Sequence, residues 1–224
     1  MERWKTSWRI FGFCPSKADE ATIRRGGRLS VTMSLNTDDA LLIADIQNDF
    51  LEGGALGIAG GNVVIPVLRT YLHRFSSRGL PIFLTRDWHP ANHCSFQSRG
   101  GPWPAHCVAG SHGSLPPCDF ETPPSAVIIY KAIDPDQEAY SAFQNTPLHR
   151  HLQALGTRRL FIGGLATDYC VLQTVKDARA LGYQVCLLTD GIKAVNVRPD
   201  DGIKAQEEML ELGSIPVRLE TLAA

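Results

Sequence analysis

Short apolar segments of three to five residues recur from Ala40 onward, alternating with longer stretches of helical periodicity. Continuous apolar runs of this length are typical of parallel strands that are buried on both faces. We assign such strands to 40–44, 81–85, 126–130, 160–162, 184–188 and 215–219. Strands that alternate with helices predict right-handed βαβ units and a parallel sheet covered on both faces. The fold class is therefore α/β.

Three stretches between these strands have the spacing of amphipathic helices. In 62–78 the apolar residues fall on one stripe, and Gly79 follows as a helix stop. A second helix is predicted to begin near Thr167 or Asp168 and to end at Gly182, and a third covers 201–212. By contrast, 89–124 is rich in Gly, Pro, His and Ser and has little periodicity. Loops of that length in a compact domain are usually functional.

Charge and cysteine content exclude several functional classes. The chain has 224 residues, enough for one sizeable core, and its 22 Lys and Arg nearly balance 23 Asp and Glu. No broad basic field results, so a nucleic-acid partner is not expected. Apolar runs fall far short of the roughly 18 residues that cross a bilayer. The six cysteines form no Cys-x-x-Cys pair, which favours free thiols in a reducing, cytoplasmic setting.

The first 36 residues differ from the rest of the chain. They carry seven Lys or Arg against three Asp or Glu, with no continuous apolar segment of the kind a secretory signal needs. We expect 1–36 to be a poorly ordered extension and 37–224 to be a single domain. Because Met33 stands just before the first strand, 1–32 could also be a targeting segment or reflect a misassigned start.

Three reactive residues stand at or just beyond strand ends. Asp45 follows the first predicted strand, Lys131 follows the third, and Cys170 lies shortly after the fourth. Ligands bind outside the carboxyl ends of the strands in an open parallel sheet, so all three should face one rim. Cys170 would lie in the first turn of a helix, where the helix dipole and a nearby Lys131 would lower its pKa. Asp45 could then act as general base and acid.

Each of these residues also has an ordinary structural reading. A cysteine early in a helix is more often packed than catalytic, and Asp or Lys at a strand end commonly caps a turn or is solvated. Their common position on one rim is what favours catalysis.

A second group of polar residues includes Asp87, His89, His93 and His106. Asp87 and His89 are two residues apart on extended backbone and so point the same way. With a histidine from the following loop they would form an open three-ligand site suited to zinc, iron or manganese. The histidines could instead be hydrogen-bonding loop residues, or form a closed structural zinc site with Cys94 and Cys107.

Two aromatic residues, Phe50 and Trp103, lie in loops near both groups. They could stack on a flat heteroaromatic ring, although aromatic residues are by default part of the core.

Several motifs in order resemble those of the nicotinamidases, which belong to the isochorismatase-like cysteine hydrolase superfamily. The resemblance covers roughly residues 39–220, and chance similarity over five ordered motifs is very small. The motifs are Asp45-Ile-Gln-Asn-Asp-Phe50 with Gly53-Gly-Ala-Leu56, Thr85-Arg-Asp-Trp-His-Pro90 with His93-Cys-Ser-Phe96, Gly100-Gly-Pro-Trp-Pro-Ala-His-Cys-Val108, Tyr140-Ser-Ala-Phe143, and Gly164-Leu-Ala-Thr-Asp-Tyr-Cys-Val171.

This resemblance implies a three-layer α/β/α fold with a six-stranded, mostly parallel sheet. It implies hydrolysis of nicotinamide to nicotinate and ammonia through a cysteine thioester, with one divalent metal ion, zinc before iron or manganese. Related enzymes cut other small amides of the ureidoacrylate or N-carbamoyl type, and a metal-stabilised module that only binds small molecules is the non-enzymatic alternative. A homo-oligomer is compatible with the sequence.

The same resemblance assigns roles to individual residues. It implies a catalytic triad, an oxyanion site with a cis peptide before Ala166, an aromatic clamp and a metal site. His93 falls at a position that usually lies outside the ligand set, although some relatives use a nearby extra histidine. The implied residues are Asp45, Lys131 and Cys170 for the triad, the N–H groups of Ala166 and Cys170 for the oxyanion, Phe50 and Trp103 for the substrate, and Asp87, His89 and His106 for the metal.

Overall fold

The computed structural model describes residues 20–25 and 28–223, with side chains from Thr32 onward. Eight strands and four helices follow one another along this part of the chain. The strands are β1 Glu20–Arg25, β2 Arg28–Met33, β3 Asp39–Ala44, β4 Ile82–Asp87, β5 Val127–Lys131, β6 Arg159–Leu165, β7 Gln184–Lys193 and β8 Ile215–Val217. The helices are α1 Val64–Ser76, α2 Leu148–Ala154, α3 Leu172–Ala180, which is preceded by a π-helical turn at Thr167–Val171, and α4 Asp201–Glu211.

Six strands form one sheet in the order β5-β4-β3-β6-β7-β8, and every pair in it is parallel. The central strand β3 is wholly buried, and its residue Leu42 pairs with Phe83 on one side and Ile162 on the other. The α/β prediction with a six-stranded parallel sheet is confirmed.

Successive residues of β3 point to opposite faces and belong to two separate cores. Leu41 and Ile43 pack with α1, through residues such as Leu68 and Phe75. Leu42 belongs to the core on the other face, which the second, third and fourth helices cover with Leu148, Val175 and Met209. The three-layer arrangement follows from this alternation. No helix among the described residues is long and apolar enough to cross a membrane.

The predicted strand and helix positions agree with the structure to within a few residues, with two exceptions. Helix α2 was not predicted, because only Leu148 and Leu152 of its seven residues are buried. Strand β7 continues to Lys193, five residues past its predicted end, with a register shift against β6 after Ile162.

The segment 1–36, expected to be a poorly ordered extension, contains a strand pair that was not predicted. Strands β1 and β2 pair as an antiparallel hairpin whose register joins Arg25 to Arg28. The sequence signal is Gly26-Gly27 between two segments that contain β-branched residues, a common hairpin pattern. The hairpin leads into Met33, which bridges to Leu222. The expectation for 1–19 lies outside the described residues.

Strand β6 reaches the site through a close approach to β3. A Cβ on Gly164 would lie 2.1 Å from the carbonyl oxygen of Ala44, and the residue has φ +114°. Only glycine fits both conditions. The chain then passes through a cis peptide between Leu165 and Ala166, as expected, and enters the turn that carries Cys170.

Candidate active site

Four neighbouring strands bring polar residues to the carboxyl edge of the sheet. Asp87 and Lys131 end β4 and β5 and are paired in register. Asp45 follows β3 with a left-handed backbone, φ 50°, which Asp adopts more readily than most residues. Cys170 follows β6 in the π-helical turn. Adjacent strand order therefore places all four side chains together.

Lys131 lies at the centre of this group. Its Nζ lies 3.0 Å from Asp45 Oδ2 and 2.5 Å from Asp87 Oδ1. The same nitrogen donates to Cys170 Sγ at 3.4 Å and to the carbonyl oxygen of Ala139 at 3.2 Å. All three side chains predicted as a triad are thus in mutual reach and at least 95% buried.

Burial and charge shift the pKa values of these groups in specific directions. Burial disfavours the Lys131 ammonium, but the carboxylates of Asp45 and Asp87 outweigh it and hold the pKa of Lys131 well above its usual value. Burial raises the pKa of Asp45, although Lys131 opposes the rise. Lys131 remains charged as a result.

The expected lowering of the Cys170 pKa is wrong. Burial raises the pKa of the Cys170 thiol well above its usual value, and the charges of Asp45 and Asp87 add to the rise. Lys131 lowers it, but by less. Burial, which was not visible in the sequence, outweighs the charge of Lys131. The resting group is a thiol whose proton must be removed when it reacts.

A second cluster joins the first through Asp87. Ligating atoms of Asp87, His89 and His106 all lie within 4.8 Å of one another, and the three residues are buried. Asp87 Oδ1 faces Lys131, whereas Oδ2 lies 3.7 Å from His89 Nε2. Burial would raise the pKa of Asp87, but Lys131 and His89 hold it well below its usual range. The carboxylate is therefore ionised and ready to bind a cation.

The donor set fits a divalent metal ion. Both ring nitrogens of His89 are buried and have no hydrogen-bond partner among the described residues, an arrangement that is costly unless a ligand satisfies it. His106 Nδ1 lies 2.8 Å from the carbonyl oxygen of Pro104. An N–H there leaves Nε2 free as a ligand, as is usual for metal-bound histidine. One carboxylate and two imidazoles leave open positions, the pattern of catalytic sites.

His93 does not belong to this donor set. Its Nδ1 lies 2.7 Å from Ser95 Oγ, and its Nε2 lies 3.1 Å from the carbonyl oxygen of Gln137. Its ring is 4.3 Å from that of His89, so it supports the cluster by packing.

Two supporting residues, Gln47 and Asp49, were not predicted as part of the site. The side chain of Gln47 accepts from Asp87 N–H at 2.8 Å and donates to Asp87 O at 2.8 Å, as a neighbouring strand would. Asp49 accepts from the N–H of Cys107, next to His106, at 2.7 Å. A Cβ on Gly113 would meet the Asp49 carboxylate, so that position needs glycine. Both residues lie in the first motif, which was the available signal.

A cavity that is partly open to solvent leads to both clusters. Both predicted aromatic residues line it, and so do Cys170 and the proposed metal ligands Asp87 and His106. Its lining residues are Phe50, Leu56, Asp87, Trp103, His106, Tyr140, Ala166, Tyr169, Cys170 and Val195. A mostly apolar cleft with a few polar groups at its base is typical of small-molecule sites.

Four further wall residues were missed: Leu56, Tyr140, Tyr169 and Val195. Tyr140 accepts a 3.0 Å hydrogen bond from the Trp103 indole, and burial raises its pKa to about 12. The Tyr169 ring meets Trp103 edge-on at 5.1 Å. Asp168 accepts from Val195 N–H at 2.9 Å and so holds that wall in place. Tyr140 and Tyr169 stand in recognised motifs, but Val195 has no local signal.

The predicted oxyanion residues also lie at the cavity. Ala166 and Cys170 both line it, on the turn that follows the cis peptide. The structure thus brings together every predicted site residue at or directly beside a single cleft.

Comparisons with known proteins agree with this geometry. The isochorismatase domain model matches residues 39–212. A nicotinamidase of Escherichia coli is 38% identical over 196 residues, which cover 78% of this chain and 92% of that protein. A nicotinamidase/pyrazinamidase of Mycobacterium tuberculosis is 34% identical, covering 76% and 93%.

Solved structures are similar over most of the chain. A Pyrococcus horikoshii pyrazinamidase in complex with zinc has a TM-score of 0.78 and 44% identity, covering 81% of this chain and 99% of that one. PnC1 from L. infantum, in complex with nicotinate, has a TM-score of 0.80 and 36% identity, covering 86% and 99%. By sequence and by fold, the chain belongs to the isochorismatase domain family.

Proposed function

We propose that this protein is an amidohydrolase that converts nicotinamide to nicotinate and ammonia. The observation that carries the proposal is the contact of Lys131 with both Asp45 and Cys170 at the base of an aromatic cavity. The similarity to nicotinamidases over more than three quarters of the chain supports the substrate. A metal-stabilised module that only binds small molecules would not need a buried lysine beside a thiol.

Cys170 is the proposed nucleophile and Asp45 the proposed acid and base. The Cys170 thiol passes its proton to Asp45 as the sulfur bonds to the amide carbon. Asp45 then gives that proton to the departing nitrogen, which leaves as ammonia, and a thioester remains. Water, deprotonated by Asp45, attacks the thioester and releases the carboxylic acid, while the proton returns to sulfur. Lys131 stays charged throughout. It stabilises the negative charge as that charge moves between Asp45 and Cys170.

The N–H groups of Ala166 and Cys170 are the proposed donors to the carbonyl oxygen as it becomes negative. Backbone donors that are already in position cost no free energy of reorganisation during the reaction. Removing one such donor typically lowers turnover by roughly 10²–10³-fold. Phe50 and Trp103 are the proposed clamp on the substrate ring, and both line the cavity.

Asp87, His89 and His106 would hold one divalent metal ion. When bound, the ion supplies a Lewis acid that orients a polar atom of the substrate ring. Zinc is the proposed metal, because the zinc-containing structure is that of a similar protein and the mixed N/O donor set suits it. The apolar, aromatic walls favour a flat ring over ureidoacrylate or N-carbamoyl substrates, which are the alternative amides.

The test is ammonia release from nicotinamide by the purified protein, before and after chelation. We expect turnover in the wild type and its loss in Cys170→Ala, by at least roughly 10⁴-fold, as for other nucleophile deletions. Chelation should lower activity without unfolding the protein, because both core clusters are independent of the metal residues.

Cys118→Ala is the matched control, since Cys118 is exposed and does not line the cavity. It should retain wild-type activity. Turnover of Cys170→Ala close to that of the wild type would refute the mechanism. Faster hydrolysis of an acyclic ureido amide than of nicotinamide would refute the assignment of nicotinamide as the substrate.

A further inference from the structure

Lys131 occupies the centre of a second arrangement of metal-binding atoms. Oxygens of Asp45 and Asp87 and the sulfur of Cys170 lie within 4.8 Å of one another and are buried. With the carbonyl oxygen of Ala139, four acceptor atoms surround Nζ at 2.5 to 3.4 Å. An ammonium has only three hydrogens to donate, so the surroundings offer more acceptors than it can use.

Those four atoms are a suitable donor set for zinc or cobalt. Two carboxylate oxygens, a thiolate and a carbonyl oxygen can surround an ion tetrahedrally, at about 2.0–2.3 Å. Asp45 Oδ2 is buried and receives no hydrogen bond of suitable angle from the described residues, although it lies 3.0 Å from Nζ. A contraction of about 1 Å around the position of Nζ would complete the coordination.

The two clusters share a carboxylate as binuclear metal sites do. Oδ1 of Asp87 faces Lys131, and Oδ2 faces His89. A carboxylate that bridges in this way holds two ions roughly 3.5–4 Å apart in two-metal enzymes. The site therefore has the donor layout of a binuclear centre in which an ammonium takes the place of one ion.

We propose that Lys131 is the resident cation of a latent second metal site, and that its ammonium keeps thiophilic metal ions off Cys170. The proposed metal site at Asp87, His89 and His106 keeps such ions nearby, and thiolate is a far better zinc ligand than carboxylate. A sulfur bound to metal would be a weaker nucleophile. Lys131 thus protects the sulfur as well as stabilising charge, whichever amide is the substrate.

Formal charge supports the replacement of the Lys131 ammonium by a second dication. With Lys131 present, the ammonium and one dication face two carboxylates and a neutral thiol, so one positive charge remains. Without Lys131, two dications would face two carboxylates and a thiolate, and again one positive charge remains. Binding the second ion breaks the S–H bond, forms a metal–sulfur bond and releases one proton to solvent, with no change of oxidation state.

The test is the cobalt content and absorption spectrum of Lys131→Ala, after chelation and reconstitution with excess Co²⁺. We expect two ions per chain in this variant and one in the wild type. Only the variant should show sulfur-to-cobalt charge-transfer absorption, because the other site offers nitrogen and oxygen alone. In Lys131→Ala with Cys170→Ala that absorption should vanish.

Three outcomes would overturn the proposal. One is a folded Lys131→Ala that binds a single ion without the sulfur band. Another is a wild type that shows the band, since Lys131 would then exclude nothing. The third is a variant that fails to fold even when metal is present, because a dication at this position should replace the lost charge. Circular dichroism with and without Co²⁺ identifies that case, and none of these readouts depends on amide hydrolysis.

Discussion

Asp45 is held from two sides by different kinds of interaction. The Thr85 hydroxyl donates a 2.6 Å hydrogen bond to Oδ1, and Lys131 lies 3.0 Å from Oδ2. Both favour the ionised carboxylate and oppose the rise in pKa that burial causes. Thr85 lies within β4, where a β-branched residue would be expected for packing alone, so its place at the start of the second recognised motif was the available signal.

Removing the Thr85 hydroxyl should reduce the fraction of Asp45 that is ionised at low pH. In Thr85→Val the shape is kept, but the pKa of Asp45 should rise because a hydrogen bond to its charged form is lost. Hydrogen bonds to charged groups contribute about 1.5–3 kcal/mol. The acid limb of the pH profile of kcat/KM should therefore move to higher pH, with roughly a tenfold or greater loss on that limb.

The measurement is nicotinamide turnover across the acidic range, and Thr70→Val is the control. Thr70 bonds only to the Pro66 carbonyl on the exposed side of α1. An acid limb that stays in place in Thr85→Val would show that Asp45 ionisation does not limit the reaction.

At the scale of elements, the strands were predictable and the connections were not. Strand β3 is a continuous apolar run buried on both faces, so its sequence alone indicates a central position. Continuous apolar runs also located the carboxyl ends of the strands at which Asp45 and Lys131 lie. The segment 88–126 has no such periodicity, and its form depends on long-range hydrogen bonds such as the one that Cys107 N–H donates to Asp49. Those contacts are set by tertiary structure and leave no local pattern.

Tyr71 shows how one helix is tied to the end of the sheet. Its hydroxyl donates to Asp190 Oδ1 at 3.0 Å, and Asp190 Oδ2 accepts from Leu219 N–H at 2.9 Å. Helix α1, strand β7 and the segment after β8 are joined in this way. From the sequence, Tyr71 was only one of the apolar-stripe positions of the helix predicted at 62–78.

Loss of stability at alkaline pH should depend partly on Tyr71. Burial, with the nearby Asp190 charge, raises the pKa of Tyr71 above its usual value. The unfolded chain therefore loses this proton first, so its contribution is complete below about pH 10 and declines as pH rises further. In Tyr71→Phe that part of the decline should disappear, and stability near pH 8 should fall by about 1–3 kcal/mol.

Urea unfolding at about pH 8 and about pH 10.5, on either side of the usual tyrosine pKa, measures both effects. Tyr130→Phe is the control, since that side chain is 42% exposed on the edge strand β5. Equal alkaline slopes in the wild type and in Tyr71→Phe would contradict the assignment.

At the scale of the whole molecule, Met33 and Ser34 join the start of the domain to its later strands. Met33 Sδ lies 3.6 Å from Cys186 Sγ, and its carbonyl oxygen accepts from Ala223 N–H at 2.8 Å. The Ser34 carbonyl oxygen accepts from Arg159 at 2.8 Å. The family match begins at residue 39, beyond these contacts.

A chain that starts at Met33 should keep wild-type stability and activity, because every site residue and both cores follow that point. A chain that starts at Thr37 loses the contacts of Met33 and Ser34, which we estimate at about 2 kcal/mol. Its melting temperature should then fall by roughly 4–8 °C. Thermal unfolding and ammonia release measure the two truncations. Inactivity of the longer one would place residues before Met33 within the functional unit.

Asp87 contacts a different group with each of its carboxylate oxygens, and this has a thermodynamic consequence. One oxygen meets the ammonium that faces the nucleophile, and the other meets the imidazoles. Any cation that withdraws electron density through this carboxylate weakens its hold on Lys131, and linkage makes the coupling free energy equal in both directions. Occupancy of the metal site and the binding of the Lys131 ammonium by Asp87 are then linked equilibria, so that a change in one shifts the other.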